Sequence, residues 1–229
     1  MAQRVGLLIP SSNTVMEVDF YRHLPASATV HPGRMYMEAT TVKGEEEMLD
    51  DHCLPTAGDV ATAKPDVVVF GCTSAGALRG NAYDGELCRR ISEVTGKPTV
   101  SVIESVRRKL MGLQARRVAV ITPYIDDLNV RIKASVEDDG IEVASIHGMG
   151  ISVNFNLALV EPPEIMAFAR EKLGAAPAVD ALFISCTNFQ AVATLLQLKA
   201  AYDLPIVTSN QAALEAVGRE LGVELVGMG

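Results

Sequence analysis

Short apolar runs bounded by small or polar residues recur along this chain, and the stretches between them carry apolar residues at helical spacing. Residues 4–9, Arg4-Val5-Gly6-Leu7-Leu8-Ile9, read as a first strand that Pro10 ends. Ser11-Ser12-Asn13-Thr14 then offers N-cap side chains to a helix running from Glu17 to about Leu24. Further along, strands are expected over 29–36, 67–71 and from 99, with helices over 44–63 and 84–94 and a helix stop at Gly96-Lys97-Pro98. Runs that are apolar throughout suit strands buried on both faces of a parallel sheet. Their alternation with helices predicts an α/β fold.

The pattern then restarts. Arg117-Val118-Ala119-Val120-Ile121-Thr122-Pro123 matches Arg4-Val5-Gly6-Leu7-Leu8-Ile9-Pro10 in type and order at an offset of 113 positions. Val67-Val68-Val69-Phe70-Gly71-Cys72-Thr73-Ser74 matches Ala181-Leu182-Phe183-Ile184-Ser185-Cys186-Thr187-Asn188 at an offset of 114, and each run opens on an aspartate, Asp66 or Asp180. Lys97-Pro98-Thr99-Val100 has its counterpart in Leu204-Pro205-Ile206-Val207 at an offset of 107. Three ordered matches at nearly constant spacing predict an internal duplication. The expected architecture is two similar lobes, each a short parallel sheet flanked by helices, with the active site in the cleft between them. The first lobe is taken as 1–103, joined by the C-terminal helix 209–229, and the second as 104–208, with the boundary near 101–114.

Composition narrows the function. With 229 residues, 48% apolar and 21% charged, the chain has the profile of a soluble globular protein. A net charge of −8 and the absence of any lysine and arginine run argue against a nucleic-acid partner. No apolar stretch approaches the roughly 20 residues that span a bilayer, and the N-terminal segment reads as a strand, not a signal peptide. Cys53, Cys72, Cys88 and Cys186 lack CxxC spacing, so reduced thiols in a cytoplasmic protein are expected. The four histidines (His23, His31, His52, His147) have no metal-ligand spacing, and neither a dinucleotide nor a phosphate-binding glycine motif follows a strand. No metal and no cofactor are expected.

Candidate chemistry centres on the two repeated cysteines. Cys72 and Cys186 each close a buried strand at its carboxyl end, where open α/β sheets bind ligands. A following helix N-terminus would lower the thiol pKa from about 8.5 and supply a thiolate base or nucleophile. A duplicated lobe would bring the two thiols to opposite walls of one cleft. Cys53 and Cys88 fall inside expected helices and are read as structural. Ser11, Ser12, Asn13, Thr14, Thr73, Ser74, Thr187, Asn188, Thr208, Ser209 and Asn210 lie on the same rim, able to hold carboxylates without arginine. The Tyr124 hydroxyl is a further donor, and either Asn154 or Asn156 in the loop Ser152-Val153-Asn154-Phe155-Asn156 reaches the cleft.

Paired Cys-Thr units on duplicated lobes resemble the aspartate/glutamate racemase superfamily. Pro10-Ser11-Ser12-Asn13-Thr14-Val15-Met16-Glu17, Cys72-Thr73-Ser74-Ala75-Gly76, Pro123-Tyr124-Ile125-Asp126-Asp127-Leu128-Asn129 and Ser185-Cys186-Thr187-Asn188 look more closely like its maleate cis-trans isomerase and arylmalonate decarboxylase branch. The resemblance implies cofactor-independent chemistry on a small dicarboxylate, with Cys72 and Cys186 catalytic and Asn13, Tyr124 and Asn154 at the carboxylate-binding positions. Thr73, Ser74, Thr187 and Asn188 would add donors. Decarboxylases of this branch typically carry glycine in place of Cys72, so Cys72 favours the isomerase. A two-thiol racemase is the runner-up, a decarboxylase third, and a small-acid binding protein is the alternative outside catalysis. The resemblance also implies a homo-oligomer.

Overall fold

The computed structural model describes residues 2–228; Met1 and Gly229, at the ends of the first and last expected segments, lie outside the described residues. In β1 (Gln3–Pro10), Val5, Leu7 and Ile9 enter one apolar cluster and Leu8 another. Val67 and Val69 separate from Val68 and Phe70 in the same way along β3 (Val67–Phe70). Successive side chains leave opposite faces of a strand, so an unbroken apolar run buries both. At the edge of the sheet, β2 (Ala28–Met35) pairs with β1 alone and accommodates Pro32, whose missing N–H would break a ladder further in.

The first sheet has the order β2-β1-β3-β4, where β4 is Thr99–Ser101, and all its pairs are parallel. The second repeats it as β6-β5-β7-β8, from β5 (Arg117–Thr122), β6 (Glu142–Gly148), β7 (Ala181–Ile184) and β8 (Ile206–Thr208). Register repeats as well: Val5 to Leu8 sit opposite Val67 to Phe70, and Val118 to Ile121 opposite Ala181 to Ile184. The duplication expected from three sequence matches is therefore present in strand order, direction and register.

Helices flank both sheets. They are α1 (Met16–His23), α2 (Val42–Glu47), α3 (Cys53–Ala61), α4 (Thr73–Leu78), α5 (Asn81–Thr95), α6 (Val102–Gly112), α7 (Asp126–Glu137), α8 (Asn154–Leu157), α9 (Pro162–Leu173), α10 (Ala191–Ala201) and α11 (Ser209–Leu221). The Ser101 side chain caps α6 by accepting from the Glu104 N–H, and Thr208 caps α11 by accepting from Gln211. Gly96 ends α5 in the left-handed conformation, as its position before Lys97-Pro98 suggests.

Two helical expectations need correction. No Ser11 or Thr14 side chain caps α1; the Asn13 side-chain oxygen instead accepts from the N–H groups of Val15 and Met16, both at 3.0 Å. The single helix expected over 44–63 is α2, a wider π turn at Met48–His52, and α3. Pro55 explains the break, because it has no N–H to give the Asp51 carbonyl one turn earlier and its ring crowds that carbonyl.

The sheets share one core. It runs from Leu8, Val68 and Phe70 through Ile103, Val106 and Leu110 of α6 to Val118, Val120 and Phe183 of the second sheet. On the outer face of the first sheet, α11 returns Ala213, Leu214 and Val217 against Val5, Leu7 and Ile9. The segment 101–114, where the boundary between the lobes was expected, is mostly α6, and α11 packs against it.

Gly71, between β3 and Cys72, has no room for a side chain. A Cβ there would lie 2.8 Å from Ile9 Cγ2 and from the Leu8 carbonyl oxygen, and 2.9 Å from Met16 Sδ. The Leu8 carbonyl belongs to the central ladder and cannot turn aside. Gly71→Ala is expected to cost about 1–3 kcal/mol of folding free energy, seen as a lower urea midpoint at unchanged slope.

Candidate active site

The carboxyl ends of β3 and β7 meet across the junction of the two sheets, and each carries a cysteine. Cys72 is the N-cap residue of α4, with φ −138° and ψ 114°. Cys186 is followed by a turn, not a helix, and its backbone has φ 104°, a conformation that costs a residue with a Cβ on the order of 1–3 kcal/mol. That strain turns the Asn188 N–H onto the Cys186 sulfur at 3.2 Å. Both thiols are 4% exposed and unpaired with any other cysteine.

Hydrogen bonds knit the two strand ends into one unit. Thr73 Oγ1 donates to Ser209 Oγ at 2.9 Å, and Ser209 Oγ accepts the Cys186 N–H at 3.0 Å. Thr187 Oγ1 donates to the Gly71 carbonyl and accepts from Asn13 Nδ2, both at 3.1 Å. The Asn188 amide accepts from the Thr14 N–H at 2.9 Å and donates to the Asn154 carbonyl at 2.7 Å. The β2–α2 loop of the first lobe reaches over to the β6–α8 loop of the second. There Thr40 N–H donates to the Ser152 carbonyl, Asn154 N–H to the Glu38 carbonyl, and Thr40 Oγ1 to Asn154 Oδ1.

Asn13, Thr73, Ser74, Thr187 and Asn188 are all buried at this junction, and Tyr124 enters from the end of β5 to lie beside the Cys186 sulfur. Of the two loop asparagines, Asn154 is 2% exposed and donates to Ser12 Oγ at 2.7 Å, whereas Asn156 is exposed to solvent. Cys53 and Cys88 are buried within α3 and α5, as expected of structural cysteines. Among the described residues no group of three or more His, Cys, Asp and Glu side chains is arranged to hold a metal ion.

The electrostatics reverse one expectation. A helix N-terminus was expected to acidify the thiols, but burial raises both. Cys72 is held well above the ordinary thiol value, chiefly by burial and then by the nearby Glu45; the Ala75 N–H and Ser74 hydroxyl oppose them. Burial pushes Cys186 up to about 12 against the pull of the Tyr124 hydroxyl and the Asn188 N–H. A helix of six residues has a weak dipole field, and no cation is among the groups acting on either sulfur. Desolvation of a lone negative charge therefore prevails.

Glu45 is a buried carboxyl beside the two thiols that the sequence reading missed. Inside Glu45-Glu46-Glu47 it looks like one of three solvent-facing acids, yet it is completely buried while its neighbours are exposed. The available signal was helical spacing, since Met48 and Leu49, three and four positions on, mark the buried face. Ser74 Oγ donates to Glu45 Oε1, and burial pushes the carboxyl up to about 8.

The chain is similar over nearly its whole length to known proteins. A maleate isomerase from Nocardia farcinica is 26% identical over 96% of this chain and 90% of its own length. An arylmalonate decarboxylase from Bordetella bronchiseptica is 25% identical over 91% of this chain and 86% of its own. The crystal structure of a maleate isomerase variant from Pseudomonas putida S16 with maleate superposes with a TM-score of 0.90 at 26% identity, covering 100% of this chain and 96% of that one. The family model described as arylmalonate decarboxylase matches residues 5–229, nearly the whole sequence, and the chain belongs to that family.

Proposed function

We propose that this protein is a cis-trans isomerase of maleate, or of a closely related unsaturated diacid, that works without a cofactor. The observation that carries the reading is the pair of buried thiols, Cys72 and Cys186, at one junction of the duplicated lobes. Similarity to maleate isomerases over almost the full chain supports the same reaction. Decarboxylases of this branch typically carry glycine in place of Cys72, so the presence of Cys72 speaks against that reaction.

In the proposed reaction the Cys72 thiolate adds to one olefinic carbon, forming a C–S bond. The π electron pair moves to the neighbouring carbon and is held as an enediolate by surrounding donors. The former double bond is now single and rotates. Expulsion of the thiolate then restores the double bond in the trans geometry, with Cys186 and the adjacent Tyr124 hydroxyl managing proton position at the carboxylate and carbanion. Asn13 and Asn154 each have one amide N–H engaged, to Thr187 and to Ser12, which leaves the second free for a carboxylate oxygen. The hydroxyls of Thr73, Ser74 and Thr187 already donate to Ser209, Glu45 and the Gly71 carbonyl. The backbone N–H groups of Thr73 and Ser74 at the start of α4 and the second amide N–H of Asn188 would therefore complete the donors, with Thr187 positioning Asn13.

A cytoplasmic setting and a homo-oligomeric assembly belong to the same reading. Four free, buried cysteines support the first. No helix among the described residues is long and apolar enough to cross a membrane.

Proton NMR of the reduced protein with maleate tests the proposal: the maleate signal is expected to give way to that of fumarate. A folded, reduced protein that leaves maleate unchanged and releases carbon dioxide from a substituted malonate would overturn it.

A further inference from the structure

A buried, raised-pKa thiol is a poor nucleophile until something removes its proton, and the site contains no histidine, lysine or arginine to do so. We propose that Glu45 takes the proton of Cys72 through the hydroxyl of Ser74, an inference that rests on Cys72 being the nucleophile. Ser74 Oγ lies 3.9 Å from Cys72 Sγ and donates to Glu45 Oε1, so the three groups form one continuous line. The second carboxyl oxygen, Oε2, is buried and has no hydrogen-bond partner. Packing alone does not ask for such a residue, because Met48 and Leu49 on the same face are apolar. An unpaired carboxylate in these surroundings is poorly solvated and is consequently a strong base.

The charges facing Glu45 leave this as the available exchange. Cys72 faces it from the start of α4, Tyr124 from the end of β5 and Cys186 from the end of β7, and all three are raised by its ionisation. On its own helix Lys43, Glu46 and Glu47 are exposed; on the π turn Asp50 and Asp51 are exposed and His52 is half-buried, with Asp50 paired to Arg79 just past the end of α4. Once Glu45 has ionised, toward pH 8 and above, the line carries one negative charge. In the transfer the Cys72 S–H bond breaks and its electron pair stays on sulfur. The proton passes to Ser74 Oγ as the Ser74 proton passes to Glu45 Oε1. Net charge is unchanged, and the transfer reverses when the thiolate leaves the product.

The test is the pH dependence of Cys72 alkylation by iodoacetamide, resolved by peptide mass spectrometry in the whole protein, for wild type, Glu45→Gln and Ser74→Ala. In wild type the rate is expected to rise through about pH 8, where Glu45 ionises. In both variants the rise is expected to move up by at least one pH unit, about a tenfold loss at neutral pH, while the Cys186 profile does not move upward. Ser74→Ala breaks the line but also removes a hydroxyl that itself lowers Cys72. Glu45→Asp, which keeps the charge and withdraws it from Ser74, therefore keeps the inference testable if Glu45→Gln fails to fold: a Cys72 rise moved up supports the line, and one that is unmoved or moved down overturns it. If Glu45 were only a neighbouring charge, Gln would remove a repulsion and the Cys72 profile would move to lower pH. Either that downward movement or coincident profiles would overturn the inference. Because alkylation needs no substrate, a shifted Cys72 profile in a protein inert toward maleate would refute the proposed substrate and leave the relay standing.

Discussion

Replacing Cys72 with alanine will reduce conversion of maleate to fumarate by on the order of 10⁴-fold or more, while the protein stays folded. The mechanism routes bond rotation through a C–S adduct, so without the sulfur there is no single bond to rotate about. The donors around the site would still bind the diacid, which predicts a KM within about tenfold of wild type alongside a collapsed kcat. Cys72→Ser should fare little better, because a buried hydroxyl is far harder to ionise than a thiol. Cys186→Ala removes proton management and leaves the adduct possible, so its loss should be smaller, about 10²- to 10⁴-fold. Initial rates by NMR, with circular dichroism as the folding control, separate these cases. A Cys72→Ala protein retaining more than a few per cent of activity would refute covalent catalysis by this residue, and equal, mild losses in both variants would point to general binding roles.

Cys72 and Cys186 were legible in the sequence because the duplication wrote the same unit twice. Strands buried on both faces leave an unambiguous apolar run, and a repeat of that run with a cysteine after it cannot be confused with a turn. Tyr124 and Asn13 followed because they adjoin β1 and its repeat, β5. The loops were less legible. Asn154 and Asn156 differ only in which side of a single helical turn they occupy, and that side is set by Thr40 and Glu38 of the other lobe, 114 and 116 positions away in the chain. The acidified thiols failed for a different reason: a helix N-terminus is visible in sequence, but the depth at which it sits is not. Glu45 combines both problems. Its burial depends on how α2 crosses α4, and a run of three glutamates gives each the same local appearance.

Stability of the folded protein will decline as pH rises from about 5 to about 8, a consequence of three acids enclosed by the fold. Burial raises Glu45 from 4.5 to about 8 and Asp84 from 3.8 to about 7. It raises Asp19 from 3.8 to about 6, partly offset by the Asn210 amide donating to it at 2.8 Å. Between its unfolded and folded values each group is protonated in the native state and ionised in the unfolded chain. The native state thus holds the extra proton, and raising the pH favours unfolding. The contribution is fully present below about pH 4 and is gone above about pH 8. One pH unit of displacement corresponds to about 1.4 kcal/mol, so Glu45 alone is expected to withdraw roughly 3–5 kcal/mol across this window. Urea midpoints at constant ionic strength and under reducing conditions will measure it. Midpoints that are flat or rise between pH 5 and pH 8 would contradict the raised values. Glu45→Gln should remove about half of the slope and be more stable than wild type at pH 8, and Asp84→Asn should remove a smaller share. The same Glu45→Gln substitution is expected to slow Cys72 alkylation at neutral pH. A gain in stability coupled to a loss of thiol reactivity cannot come from misfolding, so the two measurements on one variant isolate the proton-accepting role of this carboxyl from its place in the core.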